Sequence, residues 1–342
     1  MRKLLLLNVI VILLIVLTGC KKQELYSKTY FEYFDTVITI SGYEKNKEEF
    51  NNKLLLIEPL LEKYHKLYDI YYEYSGINNL CTVNKKAYIE PVEVEKEIID
   101  LLEYGFKMYD KTNKVLNIAM GSVLKLWHNE REYASEYPYD AKIPDINKLK
   151  EASKYMNIDD VVIDKEKSTI YIKNEYTKLD VGAIAKGYVC DRLTDVLVNI
   201  EATSYILNLG GNIKLIGSKP RNKDFNVGIQ DPTSNATSNI ITLSICDYSI
   251  VTSGSYQRYY MVDNTRYHHI INPKTLMPEN NYLSVTVISK ESVLCDSLST
   301  TLFNLSISEG KELIKDFNDV YVMWIDIDKN ITYSDGLESK FM

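Results

Sequence analysis

The sequence predicts one α+β domain with mixed sheets and flanking helices. In the first half of the chain, apolar residues recur mostly at helical spacing. In the second half, short alternating runs end at glycines or at Asp-Pro and Asn-Pro pairs, which is typical of strands joined by turns. The chain has no internal repeat, low-complexity tract or Pro/Ser-rich linker, so a single domain over residues 30–342 is the simplest interpretation.

Residues 1–19 are predicted to be a secretion signal. Arg2 and Lys3 precede an apolar run that is shorter than the ~20 residues needed for a membrane span. The stretch Leu17-Thr18-Gly19-Cys20 then resembles the lipobox of bacterial lipoproteins, in which the cysteine is lipidated. We therefore expect lipidation at Cys20 and a tether over residues 20–29. A plain signal peptide or a short anchor helix is the alternative.

The charge balance limits the partners. The formal net charge of −7 argues against nucleic acid and against electrostatic attachment to anionic lipids. Acyl chains would therefore have to hold the protein on the extracytoplasmic face of the cell membrane. The four cysteines after Cys20 show no Cys-x-x-Cys spacing and are interpreted as small core residues, with one pairing left open: Cys81, Cys190, Cys246 and Cys295.

Apolar spacing gives the elements of the first half. A strand is predicted over residues 30–43, followed by a helix over 47–72 in which Pro59 must kink the chain or mark a restart. Residues 74–84 are loop-like. The remaining predictions are a helix at 94–109, an extended-to-helical passage at 117–127, a short helix at 145–156 and two strands within 160–173.

The second half is predicted to be mostly strands. They lie at 204–209, 213–217, 225–230, 240–245, 248–252, 267–271 and 284–289. The runs at 240–245 and 248–252 are expected to pair as a hairpin. Two helices, at 293–305 and 309–317, and a strand at 320–325 close the chain.

The stretch from Lys178 to Asp191 connects a predicted strand with a predicted helix. Residues 169–173 alternate like a strand, Gly182 and Ala183 follow, and residues 184–200 have helical spacing. Such a turn either leaves backbone N–H groups free for a phosphate or is a tight connection without a ligand. Gly187 costs about 1 kcal/mol against alanine inside a helix, which indicates a close approach by a ligand or a neighbouring backbone. Asp191 is expected on the exposed face of this helix.

Two further groups of residues could carry chemistry. Asp296 and Thr300 are four apart on the predicted helix 293–305, so they share a face and offer oxygen ligands suited to Mg²⁺; a solvated face is the alternative. His268 and His269 are consecutive on a predicted strand, so they face opposite ways and cannot easily share a metal. One of them could act as an acid, a base or a phosphate contact. The sequence contains no GxSxG, HExxH, Walker A or Rossmann motif.

Short motifs along the chain, and the order in which they occur, resemble those of the ApbE family, the FAD:protein FMN transferases. The matching stretches are 34–40 (FDTVITI), 117–122 (NIAMGS), 126–127 (LW), 179–188 (LDVGAIAKGY), 208–212 (NLGGN), 228–232 (GIQDP), 252–254 (TSG), 269–273 (HIINP) and 295–300 (CDSLST). They span about residues 30 to 305, and the predicted lipobox also fits the family. The resemblance implies a single T-fold-like α+β domain.

The resemblance also implies roles for individual residues. The Mg²⁺ ligands would be the Ala183 carbonyl and the Asp296 and Thr300 side chains, with the FAD pyrophosphate completing the shell. His269 matches a histidine proposed to be catalytic. The expected contacts with FAD are Phe34, Tyr74, Met120, Gly121, Ser122, Asp180, Lys186, Ile271 and Ser299. Two departures from the family pattern lie beside the flavin: Asn272 replaces an aspartate, and Leu276 replaces a glycine.

The implied reaction is attack on the FAD pyrophosphate by a Ser or Thr hydroxyl of another protein. FMN remains in phosphoester linkage and AMP departs. The implied acceptors carry a motif ending in Ala-Thr and are extracytoplasmic flavoproteins of electron-transport complexes. Two alternatives are hydrolysis of FAD to FMN and AMP, and a lipoprotein that binds FAD without chemistry. A solute-binding lipoprotein would be expected to show two α/β lobes and a hinge, which this sequence does not predict.

Overall fold

The computed structural model describes residues 22–234 and 238–342, so the predicted leader and Cys20 lie outside the described residues. In chain order, the helices are α1 (Lys47–Tyr68), α2 (Leu80–Lys86), α3 (Lys96–Lys111), α4 (Gly121–Glu136), α5 (Ile146–Ser153), α6 (Ala185–Asn199), α7 (Ser292–Phe303), α8 (Ile307–Leu313) and α9 (Leu337–Phe341). The strands are β1 (Glu24–Tyr30), β2 (Ile38–Glu44), β3 (Val92–Glu93), β4 (Val161–Asp164), β5 (Thr169–Ile172), β6 (Ser204–Leu209), β7 (Asn212–Gly217), β8 (Phe225–Gln230), β9 (Asn239–Ile245), β10 (Ser249–Gly254), β11 (Tyr259–Val262), β12 (Thr265–His268), β13 (Tyr282–Ser289), β14 (Tyr321–Asp326) and β15 (Ile331–Tyr333).

An eight-stranded antiparallel sheet in the order β1-β2-β6-β7-β10-β13-β14-β15 forms the framework. Helices α1, α6 and α7 pack on one face and enclose the main core, to which Val285 and Val287 of β13 contribute. Ile288 of the same strand belongs to a second core on the opposite face, under the β8–β9 hairpin and α9. The predicted α+β class is confirmed.

The sheet corrects two strand predictions. The single strand expected over residues 30–43 is two strands, β1 and β2, which pair from Glu24↔Glu44 to Tyr30↔Ile38. Strand β1 therefore occupies most of the stretch expected to be the tether. The hairpin expected from residues 240–252 is wrong: β9 pairs with β8, while β10 pairs with β7 and β13. Both runs alternate similarly and both contribute to the second core, so only their pairing partners in the tertiary structure separate them.

The structure also decides two points about the helices. Of the two alternatives at Pro59, a kink or a restart, the restart is excluded, because Pro59 lies inside the continuous helix α1. Pro59 and Leu55, one turn earlier, are exposed, so water can solvate the carbonyl that loses its hydrogen bond. Helix α2 was expected to be a loop, and Asn79 starts it by accepting a 3.0 Å hydrogen bond from the N–H of Thr82.

The prediction of core cysteines is confirmed for Cys81, Cys190 and Cys295, which are buried, and is wrong for Cys246, which is partly exposed. All four thiols are free. No helix in the described part of the chain is long and apolar enough to cross a membrane.

Candidate active site

Three adjoining cavities open around Asp180 and Tyr71, which line all of them. The central cavity, of about 250 Å³, contains seven residues that the sequence singled out: Met120, Asp180, Ala183, Lys186, His269, Ile271 and Thr300. A second cavity, of about 380 Å³, is lined by Phe34 and Tyr74, and a third, of about 450 Å³, reaches Gly121. The fold thus gathers residues from distant parts of the chain at one cleft.

Two predicted contact residues lie beside the cavities. The Ser122 hydroxyl donates to the carbonyl of Tyr176. Ser299 is fully buried; its hydroxyl donates to the carbonyl of Asp296 at 3.0 Å and accepts from Ser253 at 2.9 Å. Both hydroxyls therefore brace the walls of the cleft in this structure.

The turn into α6 is a tight connection. The N–H of Gly182 donates to the side chain of Asp180 at 2.8 Å. The N–H groups of Ile184 and Ala185 donate to the carbonyl of Val181 at 3.0 and 2.9 Å. These three groups are therefore not free for a phosphate, and the alternative of an open anion cradle built from them is wrong.

Gly187 marks the place where α6 and α7 touch. A Cβ atom here would lie 2.5 Å from the carbonyl oxygen of Ser292 and 2.7 Å from Cβ of Asp296. The close approach expected from the sequence is therefore made by the backbone of α7. It also lets the Gly187 N–H donate a 2.9 Å hydrogen bond to Oδ2 of Asp296.

Asp296 is a buried carboxylate without a salt bridge among the described residues. It is 5% exposed, and burial raises the pKa of its carboxyl against the opposing influence of Lys186 and the Gly187 N–H. Thr300, one turn further along α7, lines the central cavity together with Ala183. A carboxylate, a hydroxyl and a carbonyl are hard oxygen donors, so these residues fit Mg²⁺. The described residues contain no cluster of three His, Cys, Asp or Glu that could hold a metal. Water or a substrate would therefore complete the shell of a cation bound here.

Asp191 does not lie on an exposed helix face, and that expectation is wrong. Its carboxylate is largely buried and accepts 2.9 Å hydrogen bonds from the N–H groups of Ser292 and Val293. Helix α7 packs over α6 there, which the periodicity of α6 alone does not reveal.

The two histidines face opposite ways, as predicted. His268 is buried, and its Nε2–H donates to the carbonyl of Glu279 at 2.8 Å. His269 faces the cleft, where its Nδ1–H donates to the carbonyl of Arg258 at 3.3 Å. Burial and the Arg258 cation lower the pKa of His269 to about 3, so its ring is neutral and its Nε2 carries a lone pair.

Sequence reasoning missed several residues of the cleft. Arg131 and Arg258 line the central cavity together with Lys186, so three cationic side chains line that cavity. His128 contacts Arg131, with Nδ1 and Nη2 2.9 Å apart, and stacks on Tyr71 with ring centroids 4.7 Å apart. No local motif marks these residues, because tertiary packing of α4 and two loops brings them together.

The two departures from the family pattern are accommodated locally. The Asn272 amide donates to Oε1 of Glu279 at 2.9 Å, a contact in which an aspartate would face a like charge. Leu276 has φ of +62°, a conformation that glycine adopts more readily than leucine. Its carbonyl accepts a 3.0 Å hydrogen bond from the indole of Trp127, which holds the loop in place.

Comparison with known proteins identifies the family. The ApbE family model matches residues 34–324. The chain is 31% identical over 272 residues to the FAD:protein FMN transferase of Treponema pallidum, covering 75% of this chain and 73% of that protein. It is 29% identical over 265 residues to the FAD:protein FMN transferase of Klebsiella pneumoniae, covering 77% and 80%.

Solved structures show the same fold. The ApbE protein of Thermotoga maritima superposes with a TM-score of 0.80 at 24% identity, over 93% of this chain and 99% of that one. The flavin transferase ApbE of Vibrio cholerae gives a TM-score of 0.76 at 21% identity over the same shares of the two chains. The family match covers the cleft and nearly all of the described residues, and this chain belongs to the ApbE family.

Proposed function

We propose that this protein transfers FMN from FAD to a Ser or Thr hydroxyl of an acceptor protein, with Mg²⁺, and releases AMP. The chain is a flavin transferase of the ApbE family, with curated relatives named FAD:protein FMN transferase. The proposal goes beyond this family assignment in three respects: the requirement for Mg²⁺, the hydroxyl group as acceptor and AMP as the leaving group.

One observation carries the proposal. Ala183, Thr300 and His269 line the same cavity, and Asp296 lies one helical turn from Thr300 on α7. Oxygen donors suited to a hard cation thus lie beside a neutral imidazole that can accept a proton. Storage of FAD would require neither feature, so the arrangement favours a reaction at the pyrophosphate.

The cations of the cleft would hold the substrate. Lys186, Arg131 and Arg258 line the cavity and attract the anionic pyrophosphate. Bound at Ala183, Asp296 and Thr300, Mg²⁺ would offset negative charge on the phosphate oxygens. The lysine and arginines would orient the phosphate that becomes linked to the acceptor.

His269 would take the proton of the attacking hydroxyl through Nε2. Its low pKa in the free protein makes it a weak base, partly because Arg258 lies beside it. A bound pyrophosphate brings negative charge next to these cations and raises the pKa of the imidazole. FAD binding would therefore make His269 a stronger base in the complex in which it acts.

The acceptors and the location belong to the same proposal. Lipidation at Cys20 would hold the enzyme on the extracytoplasmic face of the membrane, beside flavoproteins of electron-transport complexes. Membrane fractionation and intact mass compare the wild type with Cys20→Ala. Release of the variant and an acyl mass only on the wild type would support the anchor, and equal membrane binding without acyl mass would contradict it.

Product analysis separates transfer from hydrolysis. The protein is incubated with FAD and Mg²⁺, with and without an acceptor bearing the Ala-Thr motif, and AMP and free FMN are quantified. Transfer gives AMP that depends on the acceptor, without an equal amount of free FMN. Equal AMP and free FMN in both reactions would instead identify a pyrophosphatase.

A further inference from the structure

Asp191 caps a helix to which it does not belong. Its carboxylate accepts hydrogen bonds from the N–H groups of Ser292 and Val293, in the first turn of α7. Glu291, at the N-cap position of α7 itself, makes no side-chain capping hydrogen bond. The first N–H groups of a helix need acceptors, and a carboxylate also complements the positive end of the helix dipole. Helix α6 therefore supplies the cap of α7.

The contacts between α6 and α7 follow one antiparallel register. Asp191 and Gly187 are four residues apart on α6, and their partners Ser292 and Asp296 are four residues apart on α7. Steps of four keep residues on one helix face, so the cap and the Gly187–Asp296 hydrogen bond are neighbouring contacts of the same interface.

The proposed metal site lies at the end of this interface. Ala183 is in the turn just before α6, four residues before Gly187, and Thr300 is on α7, four residues after Asp296; both line the central cavity. At Gly187 the two helices leave no room for even one added carbon atom. A displacement of α7 at its capped end would therefore move Asp296 and Thr300 relative to Ala183.

Asp191 is itself held in place. Nζ of Lys214, on β7, lies 3.8 Å from Oδ1 of Asp191, and both side chains are largely buried. The same ammonium donates to the carbonyl of Lys290, two residues before α7 begins. Lys214 thus ties the capping carboxylate and the entry to α7 to the central sheet.

We propose that Asp191 is a positioning residue, which fixes the register of α7 against α6 and thereby sets the geometry of the Mg²⁺ ligands. This inference rests on the proposed function, since it takes Ala183, Asp296 and Thr300 as those ligands. In this role, Asp191 touches neither the metal nor FAD. Loss of the cap weakens Mg²⁺ binding, whereas the Mg²⁺-saturated protein keeps all of its ligands and its turnover.

The test measures the Mg²⁺ concentration that half-saturates FAD binding, followed by flavin fluorescence, and the transfer rate at saturating Mg²⁺. Asp191→Ala is expected to raise the half-saturating concentration about tenfold, equivalent to about 1.4 kcal/mol. Its transfer rate at saturating Mg²⁺ is expected to stay within about twofold of wild type. Asp191→Asn keeps one oxygen acceptor, so its half-saturating Mg²⁺ concentration is expected to lie between those of Asp191→Ala and wild type.

Asp145→Ala is the matched control. The Asp145 carboxylate accepts from the N–H groups of Asn147 and Lys148 at the start of α5, and Asp145 lines none of the three cavities. Its loss is expected to lower the unfolding temperature and leave the Mg²⁺ dependence of FAD binding unchanged.

The outcomes separate the two proposals. If both Asp191 variants lose stability as the control does but keep the wild-type Mg²⁺ dependence, the positioning role is overturned and the metal site stands. If FAD binding by the wild type does not respond to Mg²⁺, the metal site and the positioning role are overturned together.

Discussion

The carboxylate of Asp296 accepts a 2.9 Å hydrogen bond from the backbone N–H of Gly187, across the contact between α7 and α6. This bond orients a buried acidic side chain that forms no salt bridge within the described residues. Burying an unpaired charge is unfavourable, and a bound cation relieves that penalty. The relationship explains why a glycine occupies the first turn of α6, and it means that the proposed metal site would depend on the packing of α6 against α7.

Loss of the Asp296 carboxylate should nearly abolish FMN transfer. Asp296 supplies the only formal charge among the three proposed protein ligands, so Asp296→Ala and Asp296→Asn should both reduce the rate by about 10²-fold or more. Thr300→Ala removes a neutral ligand that water can partly replace, so excess Mg²⁺ should partly restore its rate. The measurement is the initial transfer rate over a Mg²⁺ series.

Asp195→Ala serves as the control for the Asp296 variants. Asp195 is exposed on α6 and pairs only at the surface with Arg192, at 3.2 Å, so its removal should change the rate little. A wild-type rate and an unchanged Mg²⁺ dependence in Asp296→Ala would refute the metal assignment.

Gly187→Ala should damage both stability and metal binding. The added methyl group would lie 2.5 Å from the Ser292 carbonyl oxygen and must push α7 away. Such overpacking typically destabilises a protein by about 1–3 kcal/mol. Urea unfolding and the Mg²⁺ dependence of FAD binding measure the two effects.

Gly310→Ala is the helical control for Gly187→Ala. A Cβ at Gly310, on α8, would meet side-chain atoms of Leu302 and Trp324 at 3.1 Å, and Gly310 does not line the cleft. A smaller loss of stability and a wild-type Mg²⁺ dependence are expected. Equal effects of the two substitutions would contradict the special role of the contact at Gly187.

The stability of the protein should depend on pH through His269. Its pKa of about 3 in the folded protein lies below the ordinary value of 6.5. Between these values the unfolded chain binds a proton that the folded protein does not, so the free energy of unfolding falls as the pH falls below 6.5. Above that pH the imidazole is neutral in both states and contributes nothing.

His269→Gln should remove this part of the pH dependence. Relative to wild type, the variant should gain stability progressively from pH 7 to pH 5 in urea unfolding. Comparing the variant with the wild type separates the effect of His269 from that of the carboxyls of Asp180, Asp191 and Asp296, whose raised pKa values act in the opposite direction. A pH-independent difference between the two proteins would contradict the lowered pKa.

In the presence of Mg²⁺, the wild-type protein should bind FAD more tightly than FMN. Without Mg²⁺, this preference should disappear. The pyrophosphate of FAD would complete the shell of a cation held by the three proposed protein ligands, whereas FMN offers a single phosphate. Fluorescence titrations with each flavin, with Mg²⁺ or with a chelator, measure the preference. Equal affinities in Mg²⁺ would argue against a pyrophosphate at this site.

The spacing of apolar residues correctly predicted most helices and strands in which that spacing is regular. The helices α3, α6 and α7 and the strands around Asp164 lie where apolar spacing placed them, whereas α4 continues to Glu136, past the predicted end at residue 127. Pairing was harder to predict, because β9 and β10 alternate alike and only the tertiary structure assigns them to different sheets. The family resemblance supplied most of the site residues, since Asp296 and Thr300 alone also fit a solvated helix face.

Packing between distant segments accounts for the rest of the site. The sequence predicts an exposed Asp191, because the periodicity of α6 gives no reason to bury it and its partner Ser292 lies about a hundred residues later in the chain. Arg131 and Arg258 carry no motif and reach the cleft only through tertiary structure. Such contacts are properties of the fold that no single segment encodes.

Intact mass spectrometry of an acceptor protein tests the central claim most directly. An acceptor bearing the Ala-Thr motif is incubated with FAD and the wild-type protein, in Mg²⁺ or in a chelator, and in parallel with Asp296→Ala. We predict an acceptor heavier by one FMN phosphoester with the wild type in Mg²⁺, and an unmodified acceptor in the other two reactions. An acceptor that stays unmodified with the wild type in Mg²⁺, or that gains FMN equally in the chelator, would contradict Mg²⁺-dependent transfer of FMN.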